Sequence, residues 1–177
     1  MKCIAFAVMV LLLAGCGKEQ VETYDVPKEK GAEAPPVKML AAPLQLGFTA
    51  DLPAGWTERP GQGMRIVSYA IEGTSIDLYA IKLGMGDLTS NVNRWRGQVD
   101  LPEASAEAIA AAAKPLMANG APVQFVELLN EEADKGILAA IVDRAPMYWY
   151  FTAKGSVAEL KAHSADMQRF INSIRFE

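Results

Sequence analysis

The residues best able to do chemistry sit in one octet, Asn91-Val92-Asn93-Arg94-Trp95-Arg96-Gly97-Gln98. On a helix, side chains three and four positions apart are neighbours, so Asn91, Arg94 and Gln98 share one face. An arginine there can hold a carboxylate or a partner carbonyl through its planar fork. The same pattern also suits a solvated face closed by an internal salt bridge. Trp95 falls with Val92 and Val99 on another, apolar stripe, which favours packing over ligand stacking. Asn91, Arg94, Gln98 and Trp95 are therefore the candidate binding residues. No catalytic set accompanies them. His163 is the only histidine, expected half-buried beside the core face of a last helix, and no cysteine follows position 16. One histidine and no thiol cannot build a zinc site of the usual kind, so no metal is expected. No Gly-x-Ser-x-Gly elbow is present. Glu131, Glu132 and Asp134 have no calcium-loop spacing and read as a solvated loop. Gly84-Met85-Gly86 ahead of a helix invites a phosphate-loop reading. It lacks the Gly-Lys-Ser/Thr ending and puts Asp87 where an anion would sit, so a flexible turn is expected.

A second reactive group is the thiol of Cys16. Met1-Lys2-Cys3 forms a short basic start, Ile4 to Leu13 is a ten-residue apolar run, and Ala14 and Gly15 are small. That is the layout of a secretory signal. The run is too short for a membrane-spanning helix, which needs about 20 apolar residues. Leu13-Ala14-Gly15-Cys16 resembles the bacterial lipobox. The resemblance implies cleavage after residue 15, a diacylglycerol on the Cys16 sulfur and an acyl group on its amine. Two or three acyl chains anchor stably, because each buried methylene contributes about 0.8 kcal/mol. Gly17 in place of Asp, by likeness to the enteric sorting rule, points to the outer membrane and its periplasmic side.

The chain has 177 residues, a net charge of −4 and 51% hydrophobic residues. Removing residues 1–15 takes away Lys2 alone and leaves −5. An acidic chain of this kind carries no footprint for nucleic acid and no basic patch for anionic lipid. Residues 16–43 are polar and proline-rich, with Pro35-Pro36 and Pro43, and read as a tether. Within them Tyr24 to Pro27 has extended character and could add an edge strand.

Residues 44–177 are expected to form one α+β domain that positions the octet. Strands are expected at Gly47 to Leu52, from Trp56, at Arg65 to Ile71 and at Ser75 to Leu83. In the third of these, Ile66, Ser68 and Ala70 take one face and Val67, Tyr69 and Ile71 the other. Asp87 caps a helix with the stripe Leu88, Val92, Trp95 and Val99, and Ser105 caps a second, alanine-rich one that Pro115 stops. Asn119-Gly120 marks a type I′ hairpin between Leu116–Ala118 and Pro122–Leu129. Strands at Ile137 to Val142 and Tyr148 to Thr152 follow. Ser156 to Glu159 is a capping box opening a last helix whose apolar face is Val157, Leu160, Met167, Phe170, Ile171 and Ile174. Trp149 and Phe151 point one way from their strand and Tyr148 and Tyr150 the other. They are core if helices cover both faces, and a docking patch if one face is open. Adjacent hairpins favour an antiparallel sheet of about six strands with two to three helices packed on it.

With Pro53-Ala54-Gly55-Trp56, Met64-Arg65 and the C-terminal Phe170 to Phe176, the Asn-x-Asn-Arg-Trp-Arg-Gly-Gln octet resembles a set of bacterial secreted proteins and lipoproteins of uncharacterised activity. The layout is similar to the PsbP-like α/β/α sandwich, small non-enzymatic proteins that dock on larger complexes. The resemblance implies the sandwich fold and a docking role, and no catalytic residue or cofactor. The expected function is thus a non-catalytic, lipid-anchored binding or scaffolding module of the cell envelope, attached to the bilayer by its acyl chains and contacting an envelope protein partner. A carrier with an apolar pocket lined by Trp95, Tyr148 or Trp149, or an enzyme built near Arg94, are the alternatives.

Overall fold

The computed structural model describes residues 46–84 and 86–177. The signal (1–15), Cys16, the tether (16–43), Tyr24 to Pro27 and Met85 lie outside them. Nine strands and three helices follow in the order β1 (Phe48–Thr49), β2 (Trp56–Pro60), β3 (Arg65–Ile71), β4 (Asp77–Leu83), α1 (Leu88–Gln98), α2 (Ala106–Ala112), β5 (Lys114–Ala118), β6 (Ala121–Asn130), β7 (Lys135–Arg144), β8 (Met147–Gly155), α3 (Val157–Ser173) and β9 (Arg175–Phe176). Seven strands form one antiparallel sheet ordered β2-β3-β4-β8-β7-β6-β5, and β1 pairs with β9 apart from it. The architecture is α+β, an antiparallel sheet with helices on both faces, with one more strand in the main sheet than the about six expected.

The sheet is a consequence of alternation. The inner strand β7 is buried from Gly136 to Val142. Leu138, Ala140 and Val142 join the core under α3, while Ile137, Ala139 and Ile141 join the core under α1 and α2. A strand sandwiched between helix layers reads as a continuous apolar run for this reason. The aromatic run of β8 divides the same way: Trp149 and Phe151 face α3, and Tyr150 faces α1. With helices over both faces at this point, these rings are core.

The helices begin where their caps require. Asp87, Ser105 and Ser156 each accept a hydrogen bond from a first-turn amide, those of Ser90, Ala108 and Glu159 respectively. The six apolar residues expected on α3 and its C-cap are all buried. The β5–β6 hairpin turns on Asn119 (φ 50°) and Gly120 (φ 82°), both left-handed as a type I′ turn demands.

Four local expectations are corrected. The strand read from Gly47 to Leu52 is limited to Phe48–Thr49, because its partner β9 offers two residues; past it, the Asp51 amide donates to Ser173 Oγ instead. The strand read from Ser75 begins at Asp77, since the amide and hydroxyl of Ser75 both donate to Glu159 of α3. Pro115 does not stop α2, which already ends at Ala112, and lies instead within the edge strand β5. Ile66 does not face Ser68 and Ala70: the β3–β4 register slips by one between Arg65 and Val67, and Ile66 packs on the α3-side core.

Candidate functional site

The bulge at Ile66 has a chemical consequence. By simple alternation Arg65 would share the inward face of Val67. The inserted residue turns it over, so that Arg65 lies opposite Ile81. Its guanidinium grips Asp77 with two parallel hydrogen bonds of 2.7 Å and lies 4.0 Å from the centroid of the Tyr79 ring. The Asp77 contact holds the Arg65 pKa above its ordinary value. Asp77 stands opposite Lys154 of β8, whose ammonium is 5.8 Å from the Tyr79 ring centroid and donates to Gln98 Oε1 of α1 at 2.7 Å.

These side chains occupy the α1 side of the sheet, and that side is only half covered. The helix core formed by Val92, Trp95, Val99 and Ile109 sits on β6, β7 and β8, and reaches β4 only through Ile81 and Leu83. Over β2, β3 and the start of β4 no helix packs among the described residues. There Thr57 and Arg59 are exposed and Ser68, Ala70, Asp77 and Tyr79 half-buried. An open concavity of about 1390 Å³ lies over β2 and β3, with Arg59, Arg65, Ser68, Ala70 and Asp77 in its lining. The face continues through Tyr79 and Lys154 to α1. It is polar and carries Arg59, Arg65 and Lys154 against the carboxylates of Glu72 and Asp77, in a chain of net charge −4.

The octet lies at the border of this face, and its members have different surroundings. Asn91 is buried at 7% exposure. Its amide nitrogen donates to the Asp87 carbonyl (2.9 Å) and to the Tyr150 hydroxyl (3.2 Å), and its oxygen accepts from Arg94 (2.8 Å). Burial raises the Tyr150 pKa, with the Asn91 hydrogen bond pulling the other way. Arg94 and Gln98 are exposed, Arg94 beside Asn91 and Gln98 bonded to Lys154. Trp95 is 4% exposed and meets Tyr150 edge to face, ring centroids 6.1 Å apart. Asn93 holds the α1–α2 connection, donating to the Ala104 carbonyl and accepting from its amide. Thus α1 brings Arg94 and Gln98 to the open face, and turns Asn91 and Trp95 inward.

Arg59, Arg65, Asp77, Tyr79 and Lys154 were not among the residues expected from sequence. A bulge leaves no compositional mark, and an alternating strand does not say which part of its outer face a helix will cover. Gly86, read as part of a flexible turn, is tightly specified. Its φ is 130°, and a Cβ there would lie 2.5 Å from Asn91 Nδ2 and 2.8 Å from the Tyr150 hydroxyl. His163 is half-buried, with Nδ1 3.4 Å from an Asp166 oxygen. Glu131 pairs with Lys161 and Asp134 accepts from the Val157 amide, so both acidic residues serve the approach to α3. Among the described residues no three His, Cys, Asp or Glu side chains gather as a metal site, and no helix is long and apolar enough to cross a membrane.

No protein-family model matches the chain, and no curated protein matches it. Solved structures do. Cyanobacterial PsbP (CyanoP) from Synechocystis sp. PCC 6803 is similar at 12% identity, over 75% of this chain and 88% of that one, with a TM-score of 0.49. LpqN of Mycobacterium tuberculosis, described as involved in cell envelope biogenesis, is similar at 12% identity over 72% and 81%, with a TM-score of 0.47. Likenesses this distant carry no activity across. The α+β architecture rests on the strand order and helix placement given above.

Proposed function

We propose that this protein is a non-catalytic binding module of the cell envelope, held at a membrane by acyl chains on Cys16 and presenting the open half of its sheet to a partner protein. In this reading residues 1–15 are removed, residues 16–43 act as the tether, and residues 44–177 are the binding domain, facing the periplasm from the outer membrane. The observation that carries the binding role is the polar half-face over β2, β3 and β4. Among the described residues the helices leave this end of the sheet uncovered, and there it displays stacked Arg65–Tyr79 and Lys154–Tyr79 pairs with Arg59 beside them. Arginine and tyrosine are the residue types that concentrate binding energy at protein interfaces. The net positive character of the face fits an acidic partner surface, which steers encounter and sets orientation.

Two experiments test the two halves of this reading. For the anchor, Cys16→Ser is expected to move the protein from the membrane to the soluble fraction and abolish labelled palmitate uptake; a variant that still sediments and still takes up label overturns it. For the face, a photo-crosslinking residue at Arg59 or Ser68 is expected to trap a discrete partner in cells, whereas one at Ala158 on the exposed side of α3 does not. With the crosslinker at Ser68, Arg59→Glu is expected to abolish that adduct without lowering Tm. Equal labelling from both sides of the sheet contradicts the assignment.

A further inference from the structure

The other face of the sheet holds a cleft that the binding reading does not use. It lies on the α3 side, at the end of the sheet where β4 finishes and β7 turns into β8, between the sheet and the β1–β9 pair. Its volume is about 480 Å³, within the ~300–1,000 Å³ of small-ligand sites. Trp149 and Phe176 line it with Leu46, Ile66 and Met147. The two rings pack against each other at 5.4 Å.

Two cations complete the lining, Lys82 and Arg144. They stand on β4 and β7, the strands on either side of β8. Lys82 Nζ is 5.1 Å from the Trp149 ring centroid and Arg144 Cζ is 4.5 Å from that of Phe176. Arg65, Lys114, Lys135, Lys161, Arg169 and Arg175 are each spent on a carboxylate. Lys82 and Arg144 have no carboxylate within 4.0 Å among the described residues. A cation held over a ring is attracted to the π face and uses none of its N–H groups in doing so. The three donors of the ammonium and the five of the guanidinium therefore stay available. Such donors take an oxyanion in strong charge-assisted bonds. The opposing charge in the lining is Glu177.

We propose that this cleft is a binding site for an amphipathic anion: a carboxylate or phosphate bonded by Lys82 and Arg144, with its apolar part against Trp149, Phe176, Leu46, Ile66 and Met147. The two cations set the preference for an anion over a neutral amphiphile. The aromatic floor sets the preference for an amphiphile over a bare inorganic anion. The site is independent of the open face on the other side of the sheet, and its failure leaves the proposed partner-binding role untouched.

The test is calorimetric titration of the full chain carrying Cys16→Ser, with sodium decanoate, decyl phosphate, decanol and inorganic phosphate as probes. Decanoate and decyl phosphate are expected to bind saturably, at least tenfold tighter than decanol or inorganic phosphate. Lys82→Gln with Arg144→Gln is expected to weaken the two anions at least tenfold while leaving decanol unchanged and Tm within a degree or two of the parent. Glu177→Gln is expected to tighten the anions several-fold. Flotation with phosphatidylglycerol vesicles, competed by decanoate, distinguishes a lipid headgroup as the source from a free amphiphile. Equal affinity for decanol and decanoate, or anion binding indifferent to both sets of substitutions, overturns the proposal.

Discussion

Asn91 illustrates how one residue can look functional in sequence and prove structural in space. It lies at a position that a helical wheel assigns to the polar face, yet it is 7% exposed and makes three hydrogen bonds, to Asp87, Tyr150 and Arg94. Removing one partner from a buried polar set leaves the others unsatisfied, at about 1–3 kcal/mol per group. Asn91→Ala is therefore expected to destabilise the fold by about 2 kcal/mol, read as a lowered midpoint in urea unfolding. A surface binding residue would leave that midpoint in place. The same pair of groups constrains Gly86, where a side chain would strike both and the backbone lies in the left-handed half of φ space. Gly86→Ala is expected to cost at least as much, about 2 kcal/mol or more, through strain and steric shift together. Neither residue's role was legible in the sequence. Helical periodicity places Asn91 correctly on the flank of α1, but what that flank meets depends on Tyr150, 59 residues away. The buried rows of the same helix, Val92, Trp95 and Val99, were legible because an apolar stripe is a statement about one element alone.

At the level of elements, α3 is fastened to the β3–β4 connection by its own capping box. Glu159 accepts from the Ser75 amide (2.9 Å) and hydroxyl (3.0 Å) and from the Ser156 hydroxyl (2.9 Å). Those bonds, the Ser75 amide foremost, hold its pKa below the ordinary value of 4.5. Asp87, capping α1, is lowered in the same way by Ser90. A carboxyl whose folded pKa is depressed stabilises the fold fully above its unfolded pKa, and loses that contribution as pH falls through the folded one. The stability of this protein is thus expected to be flat around neutral pH and to fall below about 4.5 as both caps protonate. Glu159→Gln is expected to lower stability at pH 7 and to shrink the difference between pH 7 and pH 3.5, measured by urea unfolding at both. An unchanged acid slope in the variant would mean that other carboxyls control it. The caps themselves were readable, since Asp87, Ser105 and Ser156 each precede a helical pattern. The long-range half was not: no local spacing links Ser75 to a helix residue 84 positions on, and alternation alone extends the strand back to Ser75. The bulge at Ile66 belongs to the same class of hidden feature, because a one-residue slip is decided by the neighbouring strand.

At the scale of the whole sheet, β2 and β5 are its two edges among the described residues, and an edge strand presents backbone groups that could recruit another chain. Both edges carry proline: Pro60 ends β2 and Pro115 lies in β5 opposite Gln124. A proline in a paired edge strand keeps its missing N–H on the side away from the neighbour, so the outer rim of β5 has one donor fewer to offer. That matters because β5 also displays Met117 at 53% exposure, an apolar side chain on the strand most open to a stranger. The alternating strands, the α+β class and the two-sided core followed from pattern, whereas Pro115 read as a helix stop because the residue types alone do not separate a helix end from an edge strand two residues later. The edge reading makes a definite prediction. Pro115→Val restores a β-favouring residue and an outward N–H, and is expected to raise the dimer and aggregate fraction in light scattering at neutral pH while leaving the monomer's circular dichroism unchanged. Pro122→Ala, across the hairpin and paired to Met117, serves as the control and is expected to remain monomeric. Should both variants stay monomeric at high concentration, β5 is protected by something other than its proline, and Lys114, held by Glu127, becomes the gatekeeper to remove next.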